Sequence, residues 1–135
     1  MPANLVAEEE IVVGRKVVIE GPSSTSPFVA VFEDDGETGY FYALDTSREE
    51  NPIVDALHIY DVESVTDRDL PSTAQFIWSF DGLKAALLIN DYPHAIFDFE
   101  ARRGCCRDGF PPPASDAGWS PSGHDWDDAA LEPFT

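Results

Sequence analysis

Three carboxylates, Asp34, Asp35 and Glu37, stand close together in the run Phe-Glu-Asp-Asp-Gly-Glu-Thr-Gly-Tyr-Phe-Tyr from position 32 to 42. Oxygen ligands at such spacing can take a hard cation such as calcium, or they can present fixed negative charge to a cationic partner. The pattern is not that of an EF-hand loop, and acidic residues mixed with glycine also make an ordinary soluble turn. No metal is therefore assigned. Tyr40 and Tyr42 follow at once and supply flat amphipathic rings of the kind that anchor protein interfaces.

A second set, His58, His94 and Asp98, has the residue types for proton transfer or metal ligation. His94 and Asp98 share a face of one expected strand but are separated by two side-chain repeats of about 6.8 Å each, too far for direct contact. They act together with His58 only if separate strands bring them onto one concave surface, and satisfied structural histidines are the commoner case. His124 with Asp125, Asp127 and Asp128 makes a loose metal-like cluster, whose assembly on an irregular segment carries a large ordering entropy. Arg102, Arg103 and Arg107 flank Cys105 and Cys106. Cationic surroundings can activate a thiol, although the adjacent acidic segment offers those arginines closer partners. There is no CxxC pair, zinc quartet, GxSxG elbow, phosphate-cradling glycine loop or dinucleotide fingerprint. No catalytic residue and no cofactor is assigned.

These residues need strands to position them. Residues 11–20 are rich in β-branched side chains and read as a strand with a bulge at Gly14. Residues 28–32 and 40–44 read as a hairpin with an acidic tip. Residues 56–62 read as a strand with Leu57, Ile59 and Asp61 on one face and His58, Tyr60 and Val62 on the other. A break over 67–71 precedes a three-stranded meander over 73–100. Within it Phe76, Trp78 and Phe80 share a face, Asp81-Gly82 makes the first turn, and Ala95, Phe97 and Phe99 alternate with His94, Ile96 and Asp98. About seven strands without a capped amphipathic helix predict a mainly β fold, a single antiparallel sheet curled into a half-barrel or roll. Residues 1–107 form the β-rich domain. Residues 108–135, acidic and proline-rich, form an irregular tail of the same folded unit, expected to dock through Phe110, Trp119, Trp126, Leu131 and Phe134.

Composition narrows the partner. Of 135 residues, 26 are acidic and eight are Lys or Arg, giving a net charge of −18. That field repels phosphate backbones and anionic lipid and attracts cations, which disfavours nucleic acid and membrane surfaces. An apolar content of 43% with 12% aromatics suffices for one core. The opening residues carry neither a basic start nor an apolar run of export-leader length, and no stretch reaches the roughly 20 apolar residues of a membrane helix. Two adjacent cysteines cannot build a secretory disulfide framework. A cytoplasmic protein is the expectation.

Three stretches, Phe32-Glu33-Asp34-Asp35-Gly36-Glu37-Thr38-Gly39-Tyr40-Phe41-Tyr42, Leu57-His58-Ile59-Tyr60 and Tyr92-Pro93-His94-Ala95-Ile96-Phe97-Asp98-Phe99, together resemble a family of small acidic bacterial proteins without an established activity. The resemblance spans roughly residues 29–112 and implies a bacterial cytoplasmic setting, with no catalytic residues to carry over. The expected function is therefore a non-enzymatic binding protein whose acidic surface engages a basic protein, for example as an antidote or immunity-type inhibitor. Asp34, Asp35, Glu37, Tyr40 and Tyr42 are the expected contacts. A small enzyme or ligand-binding β-roll using His58, His94 and Asp98 is the alternative, and a subunit that self-associates through a strand edge is a third possibility.

Overall fold

A computed structural model describes residues 3–66, 69–112, 118–121 and 123–134; part of the break expected over 67–71 lies outside them. The described residues contain nine strands: β1 (Ala3–Ile11), β2 (Val17–Pro22), β3 (Phe28–Asp34), β4 (Thr38–Asp45), β5 (Ile53–Asp61), β6 (Ser72–Ser79), β7 (Lys84–Ile89), β8 (Tyr92–Asp98) and β9 (Arg103–Cys106). The fold is mainly β and antiparallel. The expected single curled sheet is corrected to two sheets, one ordered β1-β6-β7-β8-β9 and the other β2-β3-β4-β5.

The physical reason lies in one-sided burial. Ala30, Phe32, Phe41 and Ala43 bury one face of the β3–β4 pair, and Phe76, Trp78, Ala85, Leu87, Ala95 and Phe97 bury one face of the β6–β8 meander. Two sheets that are each apolar on one side close on each other. Phe41 bridges them, with its ring centroid 5.5 Å from that of Phe76 and 5.0 Å from that of Phe97. The approach is close at Gly21, where a Cβ would lie 2.2 Å from the Phe76 ring.

Residues 11–20 are not one bulged strand. Gly14, at φ +92°, sits in a turn that ends β1 and sends the chain into β2 in the other sheet. Phe80 also departs from its expected face: β6 stops at Ser79, and Phe80 is 75% exposed in the following turn. The meander and the Ala95-Phe97-Phe99 alternation stand as expected.

Beyond β9, Trp119 is buried against Phe97 and Phe99. The Asp128–Phe134 3-10 helix and Trp126 lay Ala130, Leu131 and Phe134 over Ala86, Ile96 and Cys105 on the outer face of the first sheet. Between these contacts His124, 2% exposed, meets Asp55 of β5. Its Nε2 lies 2.8 Å from Asp55 Oδ1, its Nδ1 faces the Pro111 carbonyl, and the Ser120 hydroxyl donates to Asp55 Oδ2 at 2.7 Å. A histidine that donates from both nitrogens is an imidazolium.

Burial opposes that charge, but the hydrogen bond and charge of Asp55, together with the Pro111 carbonyl, outweigh it and hold His124 above the ordinary histidine value. A raised folded-state value means that the stabilisation is complete below the unfolded value of about 6.5 and is lost as pH rises through the folded one. The His124→Gln variant, which leaves Asp55 without its ion-pair partner, is expected to be less stable than the parent by about 3–5 kcal/mol near pH 6. Urea unfolding of both proteins as pH is raised should show the gap narrowing; a gap that widens would contradict the assigned charge.

Candidate functional site

Asp34 ends β3 in the same pleat parity as Ala30 and Phe32, so its side chain points inward. It is 1% exposed. This corrects its placement among surface contacts. The Gly14 N–H donates to Asp34 Oδ2 at 2.8 Å, the Gly36 N–H to Oδ1 at 2.8 Å and the Tyr60 hydroxyl to Oδ2 at 2.7 Å. One carboxylate thus joins the β1–β2 turn, the β3–β4 tip and the end of β5. Burial, and then Asp34 itself, push the Tyr60 phenol far above its ordinary value, so Tyr60 stays a donor.

Asp35 and Glu37 stand exposed on the tip that Asp34 fixes. Asp35 Oδ1 accepts the Glu37 and Thr38 N–H groups, each at 2.9 Å, and those backbone bonds hold its carboxyl below the usual range. The Glu37 carbonyl accepts the Val62 N–H at 2.8 Å, which docks the tip onto the Val62–Ser64 3-10 turn. The exposed acids Asp61 and Glu63 are thereby set beside it.

The face assignment in β5 is corrected by a bulge. Gly39 pairs with Tyr60 but Tyr40 pairs with His58, leaving Ile59 as an extra residue. An inserted residue re-phases the alternation. Leu57 and Ile59 pack against the core as expected, Tyr60 joins them there, and Asp61 comes to the side of His58, whose Nε2 lies 2.9 Å from Asp61 Oδ1. His58 Nδ1 contacts Asp108. Burial lowers the affinity of His58 for its proton, but its hydrogen bonds to Asp108 and Asp61 and the charges of those carboxylates outweigh burial, leaving His58 above the ordinary value. Its ring meets Tyr40 edge-on at 5.4 Å, and Tyr40 stacks on Tyr42 at 5.9 Å. Both tyrosines belong to the outer face of the second sheet, where burial and then nearby carboxylates raise their phenols.

The other expected groups belong to the first sheet. His94, on β8 of the first sheet, packs edge-on to Tyr92 at 5.2 Å and is lowered by burial and by Arg107. Asp98 accepts the Glu100 and Ala101 N–H groups and caps the turn into β9. Among the described residues no hydrogen bond or ring contact joins His58 to His94 or Asp98. Burial pushes the Cys106 thiol up to about 12 and raises that of Cys105 as well. Arg103 reaches Asp127 at 3.9 Å, while Arg107 lies over the Tyr92 and Trp126 rings. A cavity of about 220 Å³ lies between the first sheet and the C-terminal 3-10 helix. Of its charged lining groups, Lys84 already faces Asp81 and Glu100, and Arg103 faces Asp127.

What remains is one anionic end of the sandwich. A depression of about 480 Å³ is bounded by Gly36, Glu37, Thr38, Asp61, Glu63 and Ser64, and one of about 420 Å³ beside it reaches Arg15, Val62 and Asp69. The cations Arg15 and Lys16 are outnumbered there by Asp35, Glu37, Asp61, Glu63 and Asp69.

A family model described as an uncharacterised protein conserved in bacteria (DUF2251) matches residues 11–135. The chain belongs to the DUF2251 family. An uncharacterised protein of Haemophilus influenzae is 41% identical over 119 residues, covering 87% of this chain and 73% of that relative. No solved structure matches. The DUF2251 match includes all of β2 to β5 and so the whole Asp34 assembly. Among the described residues no helix is long and apolar enough to cross a membrane.

Replacing Asp34 with Asn puts an amide where two donors converge on one oxygen. The expected cost is about 1.5–3 kcal/mol, the range for hydrogen bonds to a charged group. Hydrogen exchange should show the Gly14 and Gly36 amides losing more protection than the β6–β8 amides. An equal loss everywhere would mean that Asp34 does not specifically organise this end.

Proposed function

We propose that this DUF2251 protein is a non-enzymatic binding protein that captures a basic protein through its acidic end, acting as an occluding inhibitor of the antidote type. The observation that supports the reading most strongly is that the tip carrying Asp35 and Glu37 is tied down at its backbone. Asp35 is bonded to its own backbone turn, the tip is bonded to the Val62–Ser64 turn, and both rest on buried Asp34. Fixed charges lose little on binding, whereas long mobile side chains must be ordered first.

The stacked Tyr40–Tyr42 pair beside this end supplies the apolar contact that exposed charge alone lacks. At physiological salt the Debye length is about 8 Å, so charge chiefly speeds encounter and selects the partner's sign. The proposed setting is the cytoplasm. The neighbouring free cysteines, Cys105 and Cys106, support it because they provide no secretory disulfide framework.

The test is affinity capture from host lysate at low and at high salt, with the parent chain and an Asp35→Asn/Glu37→Gln/Tyr42→Ala variant whose fold is checked by circular dichroism. A basic protein should be retained by the parent at low salt and released at high salt, and the variant should hold it at least about tenfold more weakly, equivalent to about 1.4 kcal/mol. Retention of no basic protein, or retention indifferent to both salt and variant, would overturn the reading.

A further inference from the structure

The seams between the two sheets are finished differently. On the side of β5 and β9, the His58 N–H donates to the Phe110 carbonyl and the Cys106 N–H to the His124 carbonyl, so the segment after β9 supplies partners to both edge strands. On the opposite side β2 ends in Pro22, and the Trp78 indole donates to the Gly21 carbonyl at 3.0 Å. Among the described residues β1 has no comparable cover. Among the described residues its only strand partner is β6. An edge strand without a neighbour presents a row of N–H and C=O groups that an extended segment of another chain can join.

The side chains along this edge decide what kind of segment fits. Leu5 and Val6 are exposed large apolar residues, and Glu8, Glu9 and Glu10 are all exposed. A second copy lying antiparallel on β1 would set Glu8 and Glu9 opposite Val6 and Leu5 at full overlap and against one another in registers centred near Glu9, and in every register it joins two chains of net charge −18, which repel. A segment that alternates cationic and apolar residues meets both the glutamates and Leu5–Val6 favourably. The strand also runs from Glu10 through Ile11 into the turn whose Gly14 is bound by Asp34, so the edge is continuous with the acidic end.

We infer that β1 is the docking edge for an extended, lysine- or arginine-bearing segment of the basic partner, added as a further strand to the first sheet. This rests on the basic-partner reading above.

The test uses the full chain and three peptides of about nine residues, matched to the length of β1: one alternating lysine and valine, the same peptide N-methylated on alternate backbone nitrogens, and one alternating glutamate and valine. Affinity and the exchange of β1 amides are read by NMR. The lysine peptide should slow exchange of alternate amides in β1 and bind at least about tenfold tighter than the other two. In a Glu9→Lys/Glu10→Lys chain the preference should turn toward the glutamate peptide. Equal binding of the methylated peptide, or no change at β1, overturns the edge assignment. Slowed β1 exchange without peptide, rising with protein concentration, would show that a second copy occupies the edge instead. If β1 fails these tests while a captured basic protein still responds to Asp35→Asn/Glu37→Gln/Tyr42→Ala, the edge is wrong and the acidic-end reading survives; if no basic protein is captured at all, the reading itself falls.

Discussion

Three segments distant in sequence, the turn after β1, the tip between β3 and β4 and the end of β5, meet at the two oxygens of Asp34, and the placement of the exposed acids around them follows from that meeting. A buried carboxylate is costly unless donors replace its water. Here two backbone N–H groups and a phenol do so. Removing any one leaves the others around an under-solvated charge, so the three segments are held together at this carboxylate. The same bonds pair the part-buried N–H groups of Gly14 and Gly36, which cost free energy if withdrawn from water without a partner.

A parallel logic operates at the other end of β5. Asp55 is buried, and it meets His124 and Ser120 of the C-terminal segment. One strand thus carries both anchoring contacts, and both lie beside irregularities: the register shifts between Ala43 and Leu44 opposite Asp55 and between Gly39 and Tyr40 opposite His58. Bulges re-aim side chains. Trp126, Leu131 and Phe134 cover Ala86, Ile96 and Cys105 on the outer face of the first sheet, and the proposed contacts lie instead at the acidic end, the tyrosine face and the β1 edge.

Much of this fold was legible in the sequence. The β3–β4 hairpin and the β6–β8 meander declare themselves through period-two burial between turn residues. The inward parity of Asp34 was also readable, two positions after Phe32, but a carboxylate beside a second carboxylate invites a surface assignment. The bulges were not readable, because one inserted residue changes the face of Asp61 without changing composition. Nor was the two-sheet topology: a turn at Gly14 and a bulge at Gly14 have the same local signature, and only pairing of β1 with β6 separates them. β9 is a four-residue strand, too short for alternation to show. The Asp55–His124 pair spans 69 positions, a separation on which no local pattern reports. The arrangement of the histidines was not readable either: His58 belongs to one sheet and His94 and Asp98 to the other, and sequence does not say which strands share a sheet.

The most direct measurement is carboxylate footprinting of the whole chain, labelled in host lysate and in buffer and compared residue by residue. Protection of Asp35, Glu37, Asp61 and Glu63 in lysate, abolished by high salt, with Glu49 and Glu50 labelled equally in both, is the expected result. Labelling that is the same in lysate and buffer at the acidic end, or protection centred on Glu49 and Glu50, would contradict the assignment of function to the surface that Asp34 organises.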